Sequence, residues 1–157
     1  MKKKTFTFSA GIVQYFFDAE FSHLEKLVAK ENAVIITDEH VFAKHKSRFK
    51  GWNTIVLKAG EQYKIQQTAD VVIDQLIALG ADRKTTLIGV GGGVVTDITG
   101  YVAGIYMRGI PFGFVPTSLL AMVDASIGGK NGIDVGLYKN MVGLIRQPKF
   151  LLFDFSF

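Results

Sequence analysis

The chain has 157 residues, of which 48% are hydrophobic, and it carries a formal charge of +4 and no cysteine. This length allows one domain with a sizeable core, and the lack of cysteine excludes disulfides and thiolate metal sites, so we expect a reducing compartment, the cytoplasm. Nucleic acid and membranes are disfavoured as partners, because part of the basic excess is Lys2-Lys3-Lys4 and no apolar run approaches the roughly 20 residues that cross a bilayer.

Strand-like and helix-like segments alternate along the chain. In chain order we predict strands at 5–9 and 12–16, a helix at 21–28, strands at 33–37 and 54–57, a helix at 65–77, a strand at 86–90, a helix at 94–105, and strands at 111–116 and 150–153. The strands are apolar on both faces, which is typical of a parallel sheet covered by helices on each side. The sequence therefore predicts a single α/β domain.

A glycine turn, Gly91-Gly92-Gly93, lies between the strand at 86–90 and the following helix. This order aims backbone N–H groups and the positive end of a helix dipole at an anion. Glycine also lets a phosphate approach the main chain, because it has no Cβ. We predict a site for a phosphorylated ligand, which could be a mononucleotide, a dinucleotide or a sugar phosphate.

Other polar residues follow predicted strands, at the edge of the sheet where ligands bind in such folds. Asp38 ends one strand, and Thr117-Ser118 ends another. A carboxylate at the place of Asp38 suits a ribose diol, although it precedes the glycine turn, whereas the usual fingerprint has the acid after it. Helix capping explains Asp38, Thr117 and Ser118 equally well.

Asp124 and Lys130 have a less satisfactory structural explanation. Asp124 follows an apolar stretch at 119–123, and Lys130 follows a Gly128-Gly129 pair, a pattern that predicts buried charge. Buried charges need a partner or a ligand. A lysine beside paired glycines suits a phosphate or a carboxylate, since the turn adds backbone donors to the ammonium.

The segment that contains these residues resembles 3-dehydroquinate synthase. The resemblance is carried by the glycine turn, by Tyr-Met-Arg-Gly at 106–109, by VPTSLL at 115–120, by VDASIGGK at 123–130 and by Lys139-Asn140. The part of the chain before the glycine turn resembles the family less closely, although Asp38 and AGEQYK at 59–64 still fit its pattern. It implies a Rossmann-like fold and makes residues 1–157 the N-terminal, NAD-binding domain. In that family a helical C-terminal domain follows and holds a divalent metal, zinc or cobalt, by a glutamate and two histidines. We expect no metal site in this chain, since the spacing of His23, His40 and His45 does not make one.

The resemblance also implies roles for particular residues. It places the following residues at the cofactor: Asp38, Glu61, Lys64, Gly92, Gly93, Val94, Asp97, Thr117, Ser118, Leu120 and Lys139. It places Asp124, Lys130 and Asn140 at a sugar-phosphate substrate, and it implies that Arg108 reaches the substrate of the neighbouring subunit in a homodimer. From spacing alone, Glu61 and Lys64 would be a solvated pair and Asp97 a first-turn acid that complements the helix dipole.

The implied activity is the second step of the shikimate pathway, which supplies aromatic amino acids. There 3-deoxy-D-arabino-heptulosonate 7-phosphate is cyclised to 3-dehydroquinate with release of phosphate. We expect this chain to bind NAD and to be inactive without the metal-binding domain.

Two departures from the family pattern are Thr96, where many relatives have glycine, and residues 131–136, where many carry Asn-His-Pro. They leave open a related sugar-phosphate cyclase, and the short length leaves open a noncatalytic nucleotide-binding module. Polyol dehydrogenases share the fold, but VDASIGGK argues against them. The apolar tail at 150–157 is expected to need a cover.

Overall fold

The structure is a computed structural model that describes all 157 residues. Its elements in chain order are β1 (Lys2–Phe8), β2 (Gly11–Phe17), β3 (Ala33–Asp38), α1 (Glu39–Lys44), β4 (Asn53–Leu57), α2 (Gln66–Ala78), β5 (Thr86–Gly91), α3 (Gly93–Ile105), β6 (Phe112–Pro116), β7 (Lys130–Val135), β8 (Tyr138–Ile145) and β9 (Phe150–Leu152). Short 3₁₀ turns join several of them. No helix combines the length and the apolar character that crossing a bilayer requires.

Seven strands form one twisted sheet in the order β1-β2-β9-β6-β5-β3-β4. All neighbours in this sheet are parallel except β1 and β2, which form an antiparallel pair at one edge. Each strand predicted from the sequence is present within a few residues of its expected bounds. The Rossmann-like fold is confirmed, because apolar strands that are buried on both faces need helices on both sides.

The two faces of the sheet are covered unequally. One face packs against α2, α3 and Ile133 of β7, and the other is covered by α1 and by short 3₁₀ turns. The helix predicted at 21–28 is a 3₁₀ helix, Phe21–Lys26. Phe21 and Leu24 are its buried residues, and a spacing of three residues places both on one side of a three-residue turn.

A two-stranded hairpin, β7 and β8, was not predicted. Its strands pair antiparallel and form no pairs with the seven-stranded sheet. It packs on α3 at two glycines: a Cβ on Gly100 would lie 1.8 Å from Asn131 Oδ1, and one on Gly104 would lie 2.4 Å from Leu144 Cδ2. Because Gly100 and Gly104 have no Cβ, the hairpin can pack directly against α3 at these two positions.

The C-terminal tail is covered within the chain, so the expectation that it needs an external cover is wrong for most of its length. Phe150 to Phe153 are buried, and the Phe157 ring lies 5.7 Å from the Phe21 ring. Asp154 is buried and accepts hydrogen bonds from Arg48 Nη1 and from the Phe21 N–H, both at 2.8 Å. Phe155 alone among the large side chains of the tail is mostly exposed.

Candidate functional site

The site lies where the strand order reverses. After β3 the chain moves outward to β4, and after β5 it moves outward in the opposite direction to β6. Between β3 and β5 the two connections diverge, which opens a crevice at the carboxyl ends of the strands. Asp38 ends β3 and Gly91 ends β5, and the Thr37 hydroxyl donates to the Val90 carbonyl at 2.7 Å, which ties the two strands together there.

A cleft of about 880 Å³ lies beside the start of α3 and under the hairpin. It gathers residues that are far apart in the sequence. The predicted site residues that line it are Glu61, Lys64, Gly93, Val94, Asp97, Leu120, Asp124, Lys130 and Asn140. Lys139 lies at its rim, with Nζ 3.9 Å from Glu61 Oε1. The fold therefore brings most of the predicted site together in one place.

Lys64 is the centre of the polar contacts in this cleft. Its side chain is only 5% exposed, and Nζ lies 2.8 Å from Glu61 Oε1, 3.4 Å from Asp97 Oδ2 and 3.7 Å from Asp134 Oδ1. Nζ also donates to Asn140 Oδ1 at 2.8 Å. The reading of Glu61 and Lys64 as a solvated pair is therefore wrong for Lys64, because the fold buries its ammonium among three carboxylates.

The proton equilibria of the cluster follow from burial and charge. Burial acts to lower the pKa of Lys64, but the hydrogen bond to Glu61 and the charges of Asp97 and Asp134 outweigh it, so the pKa lies above its usual value. Burial raises the pKa of Asp97 to about 6 although Lys64 opposes the shift. Lys64 is thus a fixed cation, whereas Asp97 changes charge near neutral pH.

The glycine turn leads into α3 without a side-chain cap. Gly92 is the N-cap residue in an extended conformation, and no side chain bonds the first N–H groups of the helix. Asp97 is the fifth residue of α3, so its prediction as a first-turn acid is wrong. Thr96 neither crowds the cleft nor faces solvent, because its side chain is buried and its hydroxyl donates to the Gly93 carbonyl at 3.0 Å.

Asp38 acts as the N-cap of α1. Its Oδ1 accepts hydrogen bonds from the His40 and Val41 N–H groups at 2.9 and 3.0 Å. Both bonds fall on one oxygen, and Oδ2 accepts no hydrogen bond within the chain. The capping explanation is therefore confirmed for this residue, and it does not compete with binding of a hydroxyl through the second oxygen.

Thr117 and Ser118 follow β6 beside the glycine turn. The Thr117 N–H donates to the Gly91 carbonyl at 2.9 Å, and Ser118 Oγ accepts from the Ala121 N–H at 3.3 Å. A Cβ on Gly92 would lie 3.5 Å from Ser118 Oγ, so the serine faces the turn. Ser118 thus caps the next turn of chain and lies next to the glycines.

The burial expected for Asp124 and Lys130 is wrong. Both residues line the cleft, yet both are exposed. Asp124 lies in a single π-helical turn, Ala121–Ala125, and Lys130 is the first residue of β7. Their charges face the open side of the cleft, where solvent stabilises them.

Comparisons with known proteins agree with this geometry. The sequence model of the 3-dehydroquinate synthase N-terminal domain matches residues 54–157, which is most of the chain and includes every residue that lines the cleft. The chain belongs to this family.

Solved structures of other members are similar over nearly the whole chain. A 2-deoxy-scyllo-inosose synthase, in complex with carbaglucose-6-phosphate, NAD⁺ and Co²⁺, has a TM-score of 0.84 and 27% identity, covering 98% of this chain and 46% of its own. ValA, a 2-epi-5-epi-valiolone synthase from Streptomyces hygroscopicus subsp. jinggangensis 5008 with NAD⁺ and Zn²⁺ bound, has a TM-score of 0.80 and 28% identity, covering 90% and 42%. The chain thus spans less than half the length of these relatives.

A more distant structure shares the fold alone. A probable glycerol dehydrogenase from Sinorhizobium meliloti 1021 has a TM-score of 0.67 and 22% identity, covering 89% of this chain and 37% of its own. The chain itself has no group of three or more His, Asp or Glu side chains placed to hold a metal ion.

Arg108 does not reach the cleft. It is exposed in the turn after α3, with φ of 65°, and α3 separates this turn from the glycine turn by 13 residues. At 1.5 Å per residue the helix is about 20 Å long. Arg108 therefore lies at the far end of α3 from the site.

Sequence reasoning missed part of the cleft wall. The hairpin supplies Asn131, Gly132, Met141, Gly143, Leu144 and Ile145, and Asp134 joins the Lys64 cluster. The signal for this hairpin was present, since Gly136 lies between two β-prone runs.

Proposed function

We propose that this chain is the NAD-binding half of a sugar-phosphate cyclase, and specifically of a 3-dehydroquinate synthase. The observation that carries the proposal is the meeting of the α3 N-terminus, the Lys64 cluster and the Lys130 edge of the hairpin in one cleft. These features supply an anion site, a polar pocket and a second cation within a single opening. Membership of the family supports the same reading.

The residues present fit the dinucleotide. The uncapped N–H groups at the start of α3 suit its pyrophosphate, and a Cβ on Gly93 would lie only 3.4 Å from the Ala125 Cβ, so a larger residue would fill the space in front of them. Asp38 Oδ2, across the crevice, suits a ribose hydroxyl. NAD would therefore lie across the strand-order reversal, from Asp38 toward Asp97.

Lys64, Glu61 and Lys139 would orient the cofactor, and Thr117, Ser118 and Leu120 would line the approach to it. When bound, NAD supplies reversible hydride transfer at a substrate hydroxyl. Lys130 and Asn140 would hold the phosphate of the substrate, and Asp124 would accept hydrogen bonds from its ring hydroxyls. The exposure of Asp124 and Lys130 agrees with this role, because they face the open side of the cleft.

The complete reaction needs more than this chain. Its similar structures are about twice as long, and they hold Co²⁺ or Zn²⁺. We expect the metal ligands in a C-terminal domain, so the 157-residue chain should bind NAD without releasing phosphate from the sugar phosphate. A homodimer would add Arg108 of the second subunit to the substrate end.

A related cyclase is the second candidate. It is favoured by residues 131–136, which depart from the family pattern and contribute Asn131 and Gly132 to the lining of the cleft. The 2-deoxy-scyllo-inosose and valiolone synthases show that closely similar domains serve other cyclases. Phosphate release, measured with a C-terminal domain supplied and with the sugar-phosphate substrate of each cyclase in turn, would distinguish a 3-dehydroquinate synthase from a related cyclase.

The first experiment is a calorimetric titration of NAD into the chain and into Asp38→Ala and Gly93→Val variants. We expect saturable binding that both substitutions weaken at least tenfold, since one removes the ribose acceptor and the other blocks the anion site. Asp82→Ala is the matched control for Asp38, because Asp82 also accepts two backbone N–H groups, but far from the cleft. No NAD affinity and no gain of activity, even with a C-terminal domain supplied, would contradict the proposal and favour a purely structural role.

A further inference from the structure

We propose that Asp134 is a positioning residue that fixes the hairpin over the cleft and sets the place of Asn140 and Lys64. This inference rests on the proposed function, because it concerns the same site. Asp134 lies outside the set of residues implied by the family pattern, and the structure shows what it does through contacts to three separate groups.

The first contact is with the backbone of Asn140. Asp134 Oδ1 accepts a hydrogen bond from the Asn140 N–H at 2.7 Å, across the tip of the hairpin. Asn140 has φ of 54°, in the left-handed region, which asparagine tolerates better than most residues. The carboxylate therefore holds the backbone in a conformation that points the Asn140 side chain to Lys64.

The second contact joins the hairpin to the loop before α2. The Asp134 N–H donates to the Lys64 carbonyl at 2.7 Å, and Ile65 and Asp134 form an isolated parallel bridge. Asp134 Oδ1 also lies 3.7 Å from Lys64 Nζ. Asp134 thus contacts both the backbone carbonyl and the side-chain ammonium of Lys64.

The local chain geometry explains why Asp134 can do this. The register of β7 and β8 shifts between Ile133 and Val135, so Asp134 is left without a cross-strand pair. Irregularities of this kind redirect side chains in antiparallel pairs. The Asp134 side chain is 11% exposed and faces the cluster, although Leu137 at the tip is fully exposed.

Two substitutions separate the hydrogen bond from the charge. Asp134→Asn keeps an acceptor for the Asn140 N–H and removes the charge, whereas Asp134→Ala removes both. We expect NAD to bind about tenfold more weakly to Asp134→Ala, and Asp134→Asn to restore most of the affinity. Asp82→Asn is the control, since it changes an acid that also accepts backbone N–H groups outside the cleft.

Two NMR measurements on the ligand-free chain test the inference without NAD: the position of the Asn140 amide proton and the titration of the Asp97 carboxyl. The Asn140 amide proton should move upfield in Asp134→Ala and stay close to its wild-type position in Asp134→Asn. The pKa of the Asp97 carboxyl, which the charge of Asp134 helps to raise, should fall in both variants. The Asp97 titration reports the loss of the Asp134 charge, whereas the Asn140 amide proton reports the hydrogen bond that positions Asn140.

The outcomes separate this inference from the proposed function. If wild-type chain fails to bind NAD while both resonances respond as expected, the proposed function fails and the positioning role stands. If both variants keep the wild-type Asn140 amide position and the wild-type Asp97 titration, the positioning role is overturned. Equal loss of NAD affinity in Asp134→Asn and Asp134→Ala would also overturn the part assigned to the hydrogen bond.

Discussion

At the scale of single residues, the cleft places the buried ammonium of Lys64 beside the poorly exposed carboxylates of Asp97 and Asp134, with the exposed Glu61 at its edge. Three carboxylates surround one ammonium, so the cluster has an excess of negative charge when all four groups are ionised. Burial of such groups is unfavourable unless partners compensate for the lost water. Asp97 shows the cost most clearly, because Lys64 does not restore its pKa to the ordinary value.

Asp97 should make stability depend on pH. Its pKa is about 6 in the folded chain and 3.8 in the reference state, so the folded chain binds more protons between these values. Stability should therefore fall as pH rises through this window. We expect Asp97→Asn to be more stable than wild type at pH 7.5 by about 3 kcal/mol and to differ little at pH 4. Urea unfolding at both pH values measures this.

The exposed acid Asp74, on α2, offers the control for that experiment. Asp74→Asn should leave the difference in stability between the two pH values as it is in wild type. A loss of stability in Asp97→Asn at pH 7.5 would mean that the attraction of Lys64 outweighs the burial of the carboxylate. NAD binding should weaken in Asp97→Asn in any case, because the residue lines the cofactor side of the cleft.

Motif reasoning identified individual side chains but not their environments. Lys64 was identified by its place in AGEQYK, while its burial depends on the hairpin, which is some seventy residues away in sequence. Asp124 and Lys130 were expected to be buried because their neighbours are apolar. Those neighbours include Leu119 and Val123, which are themselves exposed, so local composition did not predict burial here.

At the scale of elements, the sheet was predictable and the hairpin was not. Each strand of the sheet is an apolar run flanked by turn residues, a signal that needs no knowledge of tertiary contacts. β8 is exposed along nearly all its length, and its sequence combines glycine, lysine and apolar residues without regular alternation. Its position comes from contact with α3, which no local pattern records.

Two glycines of α3 give a test of that contact. A Cβ on Gly100 would overlap Asn131, whose amide donates to the Gly129 and Arg146 carbonyls and so has little freedom to move. We expect Gly100→Ala to destabilise the chain by about 2 kcal/mol and to weaken NAD binding by displacing the hairpin. Thermal unfolding and NAD titration measure the two effects.

Gly104→Ala is the matched comparison on the same helix. Its new Cβ would meet the end of the Leu144 side chain, which can rotate away. The better helix propensity of alanine, about 1 kcal/mol, should offset most of the remaining strain. Equal destabilisation by both substitutions would show that the hairpin does not depend on Asn131.

At the scale of the whole molecule, Arg108 is a predicted site residue that lies at the far end of α3 from the cleft. The turn that carries it has two residues other than glycine in the left-handed region, Met107 and Arg108, and the Tyr106 hydroxyl anchors it to the Ala81 carbonyl at 2.8 Å. A conformation that is unfavourable for these residues persists only when its surroundings hold it. The turn thus holds Arg108 in a defined place, and its use by a second subunit stays a prediction.

Mixing two inactive variants tests that expectation in a protein that carries both domains. Arg108→Ala and Lys130→Ala homodimers should each be inactive. Dimers that contain one subunit of each kind have one intact site if Arg108 acts on its neighbour. Random exchange of subunits should then restore about a quarter of wild-type phosphate release, because half the dimers are mixed and one site in each works. No recovery after verified exchange would place Arg108 outside the neighbouring site.

The separation of the hairpin from the main sheet has a consequence for motion. β7 and β8 bond to each other and not to the main sheet. They are attached to the rest of the molecule by packing on α3, by Ile133 in the core, by Lys64 donating to Asn140 Oδ1, by Arg146 donating to the Ala103 and Ile110 carbonyls, and by the Asp134 contacts. Any movement of the hairpin would therefore have to break the Asp134 contacts and the packing on α3 together, and it would change the width of the cleft that the hairpin covers.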